Sequence, residues 1–193
     1  MIIKPSSKIS DYPVFEITEI EIPEVITQQI NTGEWVPHNH NKPSDQLYIP
    51  NGRSKMDLTP ELTSLALYVS KQVGLYINKQ KDYNINKEFP EYYLTKKDLQ
   101  FFQAEYVRDD PGYDMGKHLD NRIMFGTLII NLADNDKSHT RYYDGKNSEE
   151  PIYNGPSTKG TGVFHINTHK VYHDGVNKGD GYRYITIINY TVG

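Results

Sequence analysis

The chain has 193 residues, of which 36% are hydrophobic and 12% aromatic, enough for one well-filled core and short for two. A formal net charge of -4, with no run of Lys and Arg interleaved with aromatics, excludes a surface that tracks a phosphate backbone, so no nucleic-acid partner is expected. The absence of cysteine excludes disulfides, thiolate metal sites and a cysteine nucleophile, so any metal must be held by nitrogen and oxygen.

In chain order, Met1-Ile2-Ile3-Lys4-Pro5 lacks the apolar core of a signal peptide, and no apolar run approaches the roughly 18 residues that span a bilayer. A soluble, cytoplasmic protein without a membrane segment is the expectation. Residues 15–21 alternate apolar and acidic, as a half-buried strand does, and Pro23 suits the first turn of a short helix that Gly33 closes. A polar loop, 35–50, follows and contains His38 and His40; it is expected to be solvated, with Trp35 either a packed anchor or part of a lid. Thr59 as N-cap and Pro60 as first helical residue open a helix over 60–78, whose Leu62, Leu65, Ala66, Val69, Val73, Tyr76 and Ile77 recur at the 3.6-residue period. From residue 97 the pattern changes to short β-type runs, 101–107, 125–132, 141–143, 162–167, 170–174 and 182–192, separated by Asp, Asn, Gly, Pro and Lys. Sixteen tyrosines suit half-wet strand faces, where a ring packs and a hydroxyl stays hydrated. The expected fold class is mainly β with N-terminal helices: a single domain over 1–193, with a helix-and-strand support region at 1–96 and a β core at 97–193.

Two residues apart on a strand, His118 and Asp120 would present an imidazole and a carboxylate to one point. Later in the chain, 171–176 and 182–190 read as two strands joined by a glycine-containing turn, with His173 on the first and Arg183 on the second. Two histidines and one carboxylate around open positions are the facial triad of non-haem Fe(II) oxygenases. His165 and His169 are alternatives for the second histidine, but His169 would stand 14 positions from Arg183 and His165 lies in the preceding strand. Asp109-Asp110 and Asp134-Asn135-Asp136 lack the order of a calcium loop and read as turns.

In these positions the sequence resembles the Fe(II)/2-oxoglutarate-dependent oxygenase superfamily, and within it the prolyl-hydroxylase-like branch. Its pattern of His-x-Asp, roughly fifty residues, then His and a basic residue about ten later is met by His118, Asp120, His173 and Arg183. The two gaps here are 53 and 10 positions. The resemblance covers about residues 97 to 193 and implies a double-stranded β-helix, or jelly roll, braced by N-terminal helices. It implies that His118, Asp120 and His173 hold Fe(II), that 2-oxoglutarate chelates the metal, and that Arg183 grips its far carboxylate. Tyr106 resembles the tyrosine that hydrogen-bonds this cosubstrate, with Tyr113 and Thr127 as further cosubstrate candidates. With O2 the implied enzyme hydroxylates an aliphatic C–H and releases succinate and CO2, with ascorbate as a supporting reductant. A prolyl residue in a peptide or protein is the first expected substrate, a free amino acid or other small molecule the second. Two departures stand out: Ile185 occupies a place often held by a hydroxy residue, and Asn189 stands where nucleic-acid-repair members carry a second arginine. The alternative from another class is a cupin-like jelly roll that binds a metal without redox chemistry, for which Arg183 beside the metal has little purpose.

Overall fold

The computed structural model describes residues 1–9, 12–38, 52–79, 99–121 and 123–192. Four strands and two helices precede residue 97: β1 (Ile2–Pro5), β2 (Val14–Thr18), α1 (Glu24–Thr32), β3 (Val36–Pro37), β4 (Arg53–Met56) and α2 (Pro60–Lys79). Seven strands follow: β5 (Leu99–Asp109), β6 (Gly126–Asn131), β7 (Ser138–Asp144), β8 (Tyr153–Asn154), β9 (Gly162–Ile166), β10 (Val171–Asn177) and β11 (Arg183–Val192). Eight of them form one sheet in the order β1-β2-β9-β6-β11-β5-β4-β3, and β10-β7-β8 form a second. Every pairing is antiparallel.

Strand side chains alternate between faces, and the large sheet uses both. Phe15, Ile17, Ala104, Tyr106, Leu128, Ile130, Phe164, Ile188 and Tyr190 face α1 and α2, where they meet Ile26, Ile30, Leu62, Ala66, Val69 and Val73. Their odd or even neighbours Val14, Val107, Ile129, Val163 and Ile185 face the small sheet and pack against Tyr142, Tyr153 and Val171. The result is three layers: helices, large sheet, small sheet.

The expected helix over 60–78 is α2, and Thr59 caps it by accepting the Leu62 N–H at 3.2 Å. The turn expected to make a hairpin of the last two long strands does something else. β10 pairs with β7 and β11 with β5 and β6, so residues 178–182 carry the chain from the small sheet to the large one. The fully buried Asn177 fixes that crossing by donating to the carbonyls of Asp109, Asp110 and Gly181. His173 and Arg183 thereby come to lie on opposite walls. Among the described residues no helix is long and apolar enough to cross a membrane.

Candidate metal centre and its cavity

His118 and Asp120 do not lie on a strand, as their two-residue spacing suggested. After β5 the chain crosses to the small sheet and runs loosely along β10. Met115 donates to the Gly175 carbonyl at 3.0 Å, and His118 and His173 exchange backbone hydrogen bonds of 2.9 and 3.0 Å across an isolated antiparallel bridge. The two histidines are therefore cross-strand neighbours, with ring centroids 4.4 Å apart. Asp120 reaches the same point from the irregular segment beyond.

Nε2 of His118 and Nε2 of His173 each lie 3.5 Å from Oδ1 of Asp120. That is about the separation of donors that sit ~2.1 Å from one shared ion. Nδ1 of His118 is 2.9 Å from the Gly116 carbonyl and Nδ1 of His173 is 3.2 Å from the Val171 carbonyl. A carbonyl only accepts, so Nδ1 carries a proton in both rings and Nε2 is the ring atom left facing the carboxylate. Among the described residues, His118, Asp120 and His173 are the group whose ligand atoms could hold a metal ion. Burial works against the charge of Asp120, but His173, His118 and His165 together hold its carboxyl well below the usual carboxylate range. Burial likewise opposes the charge of His173, and Asp120 prevails to raise its pKa. His165, which sequence reasoning kept as an alternative ligand, touches the other carboxylate oxygen, with Nε2 3.1 Å from Oδ2.

A cavity of about 210 Å³ opens beside this group, lined by His118, Asp120 and His173, by Arg183 and Thr127, and by Arg53, Thr140, Val107, Ile129, Ile185, Ile187 and Gly175. Its size is below the ~300 Å³ of drug-sized sites and suits a small diacid. One end is cationic. Arg183 is buried, donates to Thr140 Oγ1 at 2.9 Å and to Asp109 Oδ2 at 3.4 Å, and its Nε is buried with no partner among the described residues. Arg53 enters from β4, forked onto Asp109 at 2.6 and 3.0 Å and stacked 4.7 Å from the Tyr113 ring. Burial opposes its charge, and Asp109 nevertheless holds the pKa of Arg53 above its ordinary value. For Arg183, burial and the neighbouring Arg53 outweigh Asp109 and pull its pKa down. Gly175 leaves room for Arg183, since a Cβ there would stand 3.0 Å from Arg183 Nη1, whereas Arg53 Nη2 at 3.7 Å would be in ordinary contact. Two guanidinium charges against one carboxylate leave this end one negative charge short.

The other end is polar, with Gln103, Glu105, His38, Thr127 and Asn189. Thr127 donates to Asn167 Oδ1 at 3.3 Å and Asn189 Oδ1 at 3.1 Å. His38, expected in a solvated loop, is buried and lies 3.2 Å from Glu105. Trp35 is an anchor: its ring lies 5.7 Å from Tyr184 and its Nε1 donates to the Ile30 carbonyl. His40 and the rest of the expected lid loop, 39–50, lie outside the described residues.

Of the three further cosubstrate candidates, Thr127 lines the cavity, and Tyr113 lies beside it with its hydroxyl buried and unpartnered among the described residues. Tyr106 does not reach it. It is an even-numbered residue of β5, on the face turned to the helices, and its hydroxyl is 3.4 Å from Gln29 and 3.5 Å from Thr59. The period-two pattern of 101–107 carried that signal, because Glu105 and Val107 share a face that excludes Tyr106. Arg53 and Asp109 left no comparable trace: the first stands in a short strand without apolar alternation, the second in an Asp-Asp pair that also reads as a turn.

Compared as sequence, the chain matches no protein-family model and no curated protein. Compared as structure, it has the fold of the 2-oxoglutarate-dependent Fe(II) oxygenases, prolyl hydroxylases among them. A prolyl-4-hydroxylase of Pseudomonas putida superposes with a TM-score of 0.62 at 12% identity, covering 95% of this chain and 95% of that one. A prolyl hydroxylase from Trichoplax adhaerens, in complex with a hypoxia inducible factor oxygen degradation domain peptide fragment, gives 0.68 at 11% identity over 95% and 86%. The epimerase SnoN, in complex with Fe3+, alpha ketoglutarate and nogalamycin RO, gives 0.61 at 11% identity over 97% and 82%.

Proposed function

We propose that this chain is an Fe(II)- and 2-oxoglutarate-dependent dioxygenase that hydroxylates an aliphatic C–H, and that its two sheets form a double-stranded β-helix within one domain. The observation that carries the reading is the pair of Nε2 atoms turned onto one Asp120 oxygen, each ring tied at Nδ1 to a backbone carbonyl. His118, Asp120 and His173 would hold the iron. The donor set fits, being two neutral imidazoles and a carboxylate with no thiolate available. The cationic end fits 2-oxoglutarate: an unpartnered Arg183 Nε, a glycine where a Cβ would intrude, and a charge balance that lacks one carboxylate.

Bound iron with 2-oxoglutarate and O2 supplies the oxidant that inserts oxygen into a C–H bond, with succinate and CO2 as coproducts. The chain's own contribution is placement. Arg183 and Thr140 orient the far carboxylate of the cosubstrate. Val107, Ile129, Ile185 and Ile187 line the cavity and would pack beside the cosubstrate's carbon chain and keep water from the bound metal.

A prolyl side chain in a peptide or protein is the first substrate, in keeping with the prolyl hydroxylases among the structural neighbours. The polar end formed by Gln103, Glu105, Thr127 and Asn189 favours a second reading, a free amino acid or other small polar metabolite. Anaerobic titration with Fe(II) and 2-oxoglutarate tests the cofactor assignment. A weak visible charge-transfer band in wild type, absent from His173→Ala, is expected; metal binding without the band would overturn the cosubstrate. His118→Ala, Asp120→Ala and His173→Ala are each expected to lose 2-oxoglutarate-dependent succinate formation. Succinate release stimulated by proline-containing peptides but not by free amino acids would separate the two substrate readings.

A further inference from the structure

His165 is left over from the metal group, and its surroundings give it a different task. It is fully buried on β9, with Nε2 3.1 Å from Asp120 Oδ2 and Nδ1 3.0 Å from the hydroxyl of the buried Tyr142. Its ring lies 4.4 Å from that of His173. An ionised carboxylate only accepts, so Nε2 carries the proton of the neutral imidazole and Nδ1 accepts from the Tyr142 O–H. This is the reverse of the tautomer in His118 and His173, whose Nδ1 atoms face carbonyls. With its Nε2 lone pair bound to a proton, His165 has nothing to offer a cation on that side.

We propose that His165, held in one tautomer by Tyr142, is a positioning residue that fixes the Asp120 carboxylate. By occupying Oδ2 it leaves Oδ1 as the single carboxylate oxygen facing His118 and His173, so Asp120 contributes one ligand atom and does not chelate. The carboxylate is held on its Oδ2 side by the His165 N–H, which leaves Oδ1 toward the Nε2 atoms of His118 and His173, each 3.5 Å away. Tyr142 is itself set by its ring contact with Tyr153, centroids 5.8 Å apart, so the chain of contacts runs from the inner face of the small sheet to the metal group. This rests on the reading of His118, Asp120 and His173 as metal ligands.

Mn(II) affinity, read from the electron paramagnetic resonance signal of the free ion, tests it in wild type, His165→Leu, His165→Gln, Tyr142→Phe and Asp120→Ala. Loss of a partner that orients a ligand weakens metal binding about 10- to 100-fold, so that loss is expected for His165→Leu, with His165→Gln within about threefold of wild type and Tyr142→Phe between the two. The glutamine amide N–H can stand where the imidazole N–H stood, which a purely space-filling role would not reward. Thermal melting of the metal-free variants reads packing separately. Mn(II) affinity equal to wild type in a folded His165→Leu, or in Tyr142→Phe should the leucine variant not fold, would overturn the inference while leaving the metal group in place. Equal affinity in wild type and Asp120→Ala would instead remove the metal group, and this inference with it.

Discussion

Asp109 is fully buried between two guanidinium groups, accepting from Arg53 at 2.6 and 3.0 Å and from Arg183 at 3.4 Å. Asp109→Ala would leave two like charges buried side by side, a change expected to destabilise the fold by about 3–5 kcal/mol in chemical denaturation. Arg183→Lys keeps the charge and loses the fork. 2-Oxoglutarate affinity is expected to fall about 10- to 100-fold, the size of one or two lost charge-assisted hydrogen bonds, with Mn(II) affinity unchanged in the same titration. Gly175→Ala should act in the same direction by crowding the Arg183 guanidinium. At this scale the motif spacing pointed to His118, Asp120, His173 and Arg183, which the fold brings around one cavity, although His118 and Asp120 arrive from a loop and not from the strand their spacing suggested. Sequence reasoning assigned no role to Arg53 or Thr140, read Asp109 as part of a turn and His165 only as an alternative ligand, because what these residues do comes from partners 43 to 74 positions away. Tyr106 was misplaced because its strand was read as a run of residues and not as two faces.

The start of α2 is tied into its surroundings. Thr59 accepts the Leu62 N–H and donates to Gln29 Oε1 at 2.9 Å, and the Tyr106 hydroxyl also donates to that oxygen. One threonine therefore joins α2, α1 and β5. Thr59→Ala is expected to lower stability by about 1 kcal/mol, the usual loss of an N-cap, measured as a shift of the urea midpoint with unchanged slope. Helix α2 was legible because twenty residues repeat one period and carry a start signal. The strands β4 and β8 were not: Arg-Ser-Lys-Met and Tyr-Asn are too short and too polar to show alternation. Nor can a local pattern say which strand a strand will pair with, which is why β10 and β11 read as a hairpin although they belong to different sheets.

Eight tyrosines, Tyr76, Tyr106, Tyr113, Tyr142, Tyr143, Tyr153, Tyr184 and Tyr190, have pKa values raised first of all by burial. A group whose pKa is higher folded than unfolded adds stability below its unfolded value and loses it as pH rises, so stability should decline once pH exceeds about 10. Exposed tyrosines such as Tyr68 and Tyr182 are expected to ionise first, and the remaining phenolate absorbance to appear together with the loss of far-ultraviolet circular dichroism in one cooperative alkaline transition. Phenolate signal from all sixteen tyrosines while the dichroism stays native would contradict this burial. The composition anticipated such a half-wet, tyrosine-rich β protein, whereas the three-layer arrangement depends on pairings between residues far apart in the chain.

β11, later in the chain than every other strand, lies in the middle of the large sheet between β6 and β5. Until it has emerged from the ribosome, β6 and β5 face one another across an empty lane, and neither the Ile188 and Tyr190 packing nor Arg183 exists. Synthesis therefore runs ahead of folding here, and closure of the sheet waits on pairings between residues 54 to 93 positions apart, a topology that favours slow folding. An incomplete chain lacks Arg183, so the cationic end of the cavity is completed only when the last strand arrives.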